Sequence, residues 1–216
     1  MSIVDICNLA LSHLGDEAEV TAITPPDGTI QAAHCGRFYP IARDLLLEAH
    51  PWTFAVKRAE VAEVTNPSPE DWAYAYALPN HCLRPLSCLY PGQPAAHLGD
   101  SDTGSQPYLV EAAEEGGAVL YTNVPAATLR YIARVTDTTK FSPGFVVALA
   151  RLLAAYLAGP ILKGKTGMEV AAAQMKLFGA EYGAAASLNA NVGKRDSYQS
   201  WVPGHIAARG GLPGRY

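Results

Sequence analysis

Apolar residues recur at helical spacing at both ends of the chain and at strand spacing in between. Near the N-terminus Ile3, Ile6, Ala10 and Leu14 form one stripe, and Gly15 follows as a stop. Ser2 stands at a capping position with Asp5 three residues later, the spacing of a capping box. "VTAITPPDGT" is rich in turn residues, and Asp27 or Thr29 can cap the next helix. That helix is predicted to run to about His50 with Ile30, His34, Phe38, Ile41 and Leu45 on its apolar face. Pro40 lacks an N–H and crowds the preceding turn, which predicts a kink near Arg37 to Ile41. Pro51 disfavours helical geometry at His50 and so ends the helix there.

From Trp52 to about Thr139 the period changes. "WTFAVKRAEV", "AYAYALP", "LRPLSCLY", "PYLVEAA", "AVLYTNV" and "LRYIARV" are short runs of aromatic and β-branched residues, separated by Pro and Gly. "YLVEAAEEGGAVLYTN" reads as a hairpin turning at Glu115-Gly116-Gly117, and Gly99 to Pro107 as a polar loop. Helical spacing returns at Phe141. Phe145, Leu149, Leu152, Leu153, Tyr156 and Leu157 make a wide stripe, with a stop expected at Gly159-Pro160. A last helix from about Thr166 places Met168, Ala171, Ala172, Met175, Phe178 and Tyr182 on one face.

The expected fold is therefore α+β: mainly a helical bundle (1–50 and 141–189) with an inserted β-rich module (51–140) and an extended C-terminal arm (190–216). Hydrophobic residues make up 49% of the chain and charged residues 17%, which is the composition of a folded globular protein rather than of disorder. The formal charge of −4 is uneven. Lys194, Arg195, Arg209 and Arg215 against Asp196 leave the arm at +3, so the body carries −7. An acidic body does not attract nucleic acid or acidic membranes in general. A basic arm bearing Tyr198, Trp201 and Tyr216 suits ordering on a partner surface, where large aromatics contribute disproportionately.

Little in the sequence points to catalysis. Cys7, Cys35, Cys82 and Cys88 form no C-x-x-C pair, and the His34-Cys35 and His81-Cys82 neighbours point different ways on any regular element. No nucleophile elbow, phosphate-binding glycine loop or dinucleotide fingerprint is present. Neither a metal nor any other cofactor is expected. The N-terminal stretch lacks a basic n-region, which argues against a signal peptide, and the cysteine usage suits synthesis in a reducing cytoplasm. "FVVALARLLAAYLAGPIL" is interrupted by Arg151 and Pro160 and falls short of a comfortable membrane span, so no membrane partner is expected. Lys57 and Arg58 are expected at a solvent or intersubunit contact.

Several motifs in fixed order carry a resemblance. "ICNLALSHLGD", then "AAHCGRFYPIARDLLLEAHPWTFAVKRAEV", then "WAYAYALPNHCLRPL" resemble the tail tubular protein A family of tailed bacteriophages. The series covers about the first ninety residues well and the two alanine-rich helices more loosely. It includes Arg43-Asp44, the junction His50-Pro51-Trp52 and a Tyr-x-Leu-Pro element. The resemblance implies a structural head-to-tail adaptor in the virion, forming a ring, commonly dodecameric, beneath the portal protein. Such a ring extends the channel for genomic DNA without sequence-specific binding and carries a downstream tail or nozzle protein. By the same analogy the arm, through Arg195, Tyr198, Trp201, Arg209 and Tyr216, is the expected portal contact. The alternatives are a tail-associated hydrolase of the cell envelope and a head-completion connector of a long-tailed phage.

Overall fold

The first helix, α1 (Ile3–Ser12), begins at Ser2. The Ser2 hydroxyl accepts the Asp5 N–H at 3.1 Å and the Asp5 carboxylate accepts the Ser2 N–H at 2.7 Å, so the capping box is complete. The computed structural model of the chain describes residues 1–92, 105–113 and 116–192. Asn8 ties α1 to the following loop like a strand partner: its amide donates to the Val20 carbonyl at 3.0 Å and accepts the Val20 N–H at 2.9 Å. Asp27 gathers the N–H and hydroxyl of both Thr21 and Thr29, and Thr29 in turn caps α2 (Ile30–Ala49).

Helix α2 runs unbroken through Pro40. Its buried face is also not the expected one. Ala32, Cys35, Tyr39, Ala42, Leu46 and Leu47 are inside, while Ile30, Ile41 and Leu45 are exposed. The inside set joins one core cluster with residues of α1 and α3 (Pro143–Leu162), so tertiary packing and not the most apolar stripe selects the face. Helix α3 is central, packing against α1, α2 and α4 (Gly164–Ala190). It continues past the expected stop, with Pro160 inside it. Its length and hydropathy are therefore those of a membrane span, yet 61% of its apolar window is buried by the rest of the fold, as in a core helix.

Lys163 and Gly164 both take positive φ, 54° and 59°, and reverse the chain between α3 and α4. The two helices then approach closely at both ends. A Cβ on Gly167 would lie 2.9 Å from the Ala158 carbonyl oxygen, and one on Gly144 would lie 3.0 Å from the Ala185 Cβ. Helix α4 buries Gly167, Gln174, Ala185 and Asn189, with Phe178 and Tyr182 half-buried; Met168, Ala172 and Met175, expected inside, face outward.

Between α2 and α3 in the sequence the chain forms two antiparallel sheets. The first has the order β1 (Val56–Glu60), β7 (Thr128–Ala133), β4 (Cys82–Leu89). The second has the order β2 (Glu63–Val64), β3 (Tyr74–Ala77), β6 (Ala118–Thr122), β5 (Tyr108–Ala112). Trp52 does not begin a strand; it opens a turn in which the N–H of Ala55 bonds the Trp52 carbonyl, and pairing starts at Val56. Of the β5–β6 hairpin turn, Gly116 and Gly117 have φ of 95° and 87°, and Glu114 and Glu115 lie outside the described residues. Tyr76, Cys88, Leu120, Leu129 and Tyr131 belong to a second core within the β region. Ile132, at the end of β7, instead joins the helical core together with Trp52, Ala55 and Val135. The fold is α+β, and β7 belongs to both cores.

Candidate functional site

The resemblance draws attention to the point where α2 hands over to the sheets, and there the chain forms one connected junction. The pre-proline residue His50 is extended, with φ −144° and ψ 143°. Trp52 is fully buried, and its indole N–H donates to the Leu46 carbonyl at 2.8 Å, which satisfies an acceptor left open at the end of α2. Its ring centroid lies 4.9 Å from His50 and 5.1 Å from Phe145, both edge-on. Phe54 and Phe141 extend the cluster, each packing on Phe145. Aromatic edge-to-face packing of this kind contributes beyond area alone.

Helix α4 closes the junction from the other side. Tyr182 donates its hydroxyl to the Ala49 carbonyl at 3.1 Å. Asn189 Oδ1 accepts the Thr53 N–H at 3.1 Å and the Thr53 hydroxyl at 3.0 Å, and its amide nitrogen lies 3.1 Å from His50 Nε2. An amide N–H can only donate, so His50 Nε2 accepts and the ring is neutral. Burial pushes the His50 pKa below its ordinary value, with the Arg84 charge adding to the effect. The Thr53 hydroxyl points its proton at an amide oxygen and not at the imidazole, so this is an arrangement that ties elements together.

A charge cluster sits beside it. Arg43 Nε and Nη2 each lie 2.8 Å from Asp44 Oδ1, and Arg134 Nε lies 2.8 Å from Asp44 Oδ2. Arg43 is only 8% exposed, so Asp44 neutralises a charge removed from water. Lys57 borders a cavity of about 170 Å³ with Phe54, Arg134, Asp137 and Lys140. Its neighbour Arg58 stands opposite Arg130 in the β1–β7 register.

All four cysteines are free thiols, and Cys7, Cys35 and Cys88 are fully buried, out of reach of a substrate. The hydrogen bond between Cys7 and Cys35 pushes the Cys7 thiol up and the Cys35 thiol down, and burial pushes Cys82 up to about 11. Among the described residues, no group of three His, Cys, Asp or Glu side chains could hold a metal ion.

The structure thus brings His50, Pro51 and Trp52 together with Thr53, Tyr182 and Asn189. The expected portal-contact residues Arg195, Tyr198, Trp201, Arg209 and Tyr216 lie outside the described residues, as do residues 99–104 of the polar loop. Sequence reasoning missed Asn189, because nothing local links an asparagine near the end of a helix to a threonine 136 residues earlier.

Two helices also leave apolar side chains uncovered. On α2 these are Ile30, Ile41 and Leu45; on α4 they are Met168, Met175, Leu177 and Leu188. Ile41 and Leu45 are one turn apart, and Met168 and Met175 two turns apart, so each pair shares a face.

No protein-family model matches the chain, and no curated protein matches it.

Proposed function

We propose that this chain is a head-to-tail adaptor of a bacteriophage particle, closing into a ring between the portal and the tail without catalytic activity. The observation that carries the reading is the pair of uncovered apolar faces, on α2 and on α4. A ring built from head-to-tail contacts needs two different patches on each subunit, and these two helices offer them. The motif series supports the same reading. Among the residues that carry the resemblance, Asp44 ties α2 to Arg134 just past β7, Trp52 closes on Leu46 at the end of α2, and His50 meets Asn189 of α4. Such a corner would hold two parts of an adaptor subunit in fixed relation. The body charge of −7 is compatible with a lumen through which DNA slides, since few cations means few phosphate contacts.

The test is assembly on a portal ring. Mixed with the portal protein of its own particle, the full chain should form a closed ring visible by cryo-microscopy. I41K/L45K should fold as the wild type does and fail to close the ring. A chain that stays single in the presence of the portal, or a double variant that assembles normally, would overturn the proposal. Sustained cleavage of peptidoglycan or polysaccharide by the purified chain would favour a tail-associated hydrolase instead.

A further inference from the structure

Although the body is acidic, one small cavity collects cations. It measures about 170 Å³ and lies between β1 and the segment that follows β7. Lys57, Arg134 and Lys140 line it together with Phe54 and the exposed Thr136, and Asp137 is the one carboxylate among the lining residues.

These cations are accessible and incompletely matched. Lys57 is exposed and, among the described residues, forms no ion pair. The Lys140 side chain is 61% exposed, and its ammonium lies 3.6 Å from Asp137, beyond hydrogen-bond distance. Asp137 is engaged elsewhere, because its Oδ1 accepts the N–H and the hydroxyl of Thr139 at 3.0 and 2.6 Å. Arg134 meets Asp44 at Nε, but no hydrogen bond within the described residues engages its two Nη groups, and its side chain is 46% exposed. Asp44 cannot neutralise Arg134 in full, since it also serves Arg43. With that pair included, the cations Arg43, Lys57, Arg134 and Lys140 meet only two carboxylates, Asp44 and Asp137.

We propose that this cavity binds a phosphate group, supplied by inorganic phosphate or by a nucleic-acid backbone. Its size admits a small anion and not a whole organic ligand, whose sites span about 300–1,000 Å³. Its charge selects among small anions. A carboxylate offsets half of the surplus of two charges, whereas a phosphate dianion, or two successive phosphates of a backbone, offsets all of it. The donors agree with that choice. The free edge of the Arg134 guanidinium suits two oxygens of one phosphate, and Lys57 and Lys140 add mobile point charges on either side. The inference does not rest on the adaptor reading and can fail or succeed without it.

The full chain, isotope-labelled in a phosphate-free buffer, is titrated with sodium phosphate at constant ionic strength and followed by amide chemical shifts. Saturable shifts are expected at residue 57 and at residues 134–140. K57Q and K140Q should keep the wild-type thermal midpoint, because both side chains are exposed. Each should weaken binding roughly threefold to fivefold, the scale of one exposed charge contact. R58Q is the control: neighbours along a strand point to opposite faces, and Arg58 does not line the cavity, so it should bind as the wild type does. A short DNA duplex distinguishes the two sources. Shifts at the same residues, with the slope of log K against log salt reduced by about 1 in K57Q, assign the phosphate to nucleic acid. Binding of inorganic phosphate without a response of these residues to the duplex assigns it to the free anion; either result bears out the site. The proposal is overturned if no saturable shift appears at millimolar phosphate, if acetate produces the same shifts as phosphate, or if R58Q weakens binding as much as K57Q does.

Discussion

Asn189 on α4 holds Thr53 by two hydrogen bonds, of 3.1 Å to the backbone N–H and 3.0 Å to the hydroxyl, across 136 residues of sequence. The same side chain reaches His50, so one amide joins the last turn of the last helix to the corner at which the β region begins.

Removing that amide should cost more than its size suggests. N189A leaves the Thr53 N–H, the Thr53 hydroxyl and His50 Nε2 without the partner they share, an amide that is itself only 8% exposed. A loss of about 1–3 kcal/mol is expected in urea unfolding. A midpoint unchanged from wild type would show that the contact is incidental.

The neutral state of His50 predicts a pH dependence with a definite sign. Burial lowers its pKa in the folded chain below the ordinary value of 6.5, so the unfolded chain binds the proton more readily. The contribution is fully present above about pH 6.5 and is lost as pH falls toward the folded-state value. Unfolding midpoints should therefore drop between about pH 7 and about pH 5. H50Q should flatten this slope without abolishing it, because burial also lowers His13. Asp5, Asp27 and Asp137, all lowered by hydrogen bonds, act in a separate and more acidic window. An H50Q slope identical to wild type would refute the assignment.

The glycines of α4 should respond in opposite directions. Gly183 has open space where a Cβ would go, so G183A should stabilise the free chain by about 0.5–1 kcal/mol through backbone entropy. At Gly167 the added Cβ would meet the Ala158 carbonyl at 2.9 Å, and α3 would have to move. G167A should be destabilising by about 1–3 kcal/mol despite its better helix propensity. Thermal unfolding of the pair of variants reads both signs.

Asp44 should matter far more than Arg134. D44A strands the Arg43 guanidinium in a site only 8% exposed, at a cost of about 3 kcal/mol. The Arg134 side chain is 46% exposed, so R134A loses a screened contact of about 1 kcal/mol or less. Equal effects in urea unfolding would contradict this division.

How much of this was legible depended on range. The Ser2–Asp5 capping box, a cap of α2 at Asp27 or Thr29 and the end of α2 at His50 all rest on contacts within a few residues and could be read directly; the structure chose Thr29. The faces of α2 and α4 could not. On α2 Ile30, Ile41 and Leu45 are exposed, while Tyr39, Leu46 and Leu47 with Ala32, Cys35 and Ala42 are inside. Periodicity finds one apolar stripe, but packing in the shared core selects a different one. The stop expected at Pro160 failed for a related reason: packing on the rest of the core outweighs one lost hydrogen bond. The corner at Trp52 was visible in the sequence, whereas its closure by Asn189 was not, because that contact spans 136 residues.

By itself the sequence determined the α+β class, the coarse order of two helices, a β-rich middle and two helices, the capping box at Ser2, and the end of α2 at His50, since each follows from local backbone geometry or from the period of apolar residues; it missed the two-residue strand β2. Only the tertiary structure decided which faces are buried, that β7 serves both cores, and that Asn189 closes the junction. Those outcomes depend on distances between segments far apart in the chain, and a distance of that kind has no signature in any one of the segments it joins.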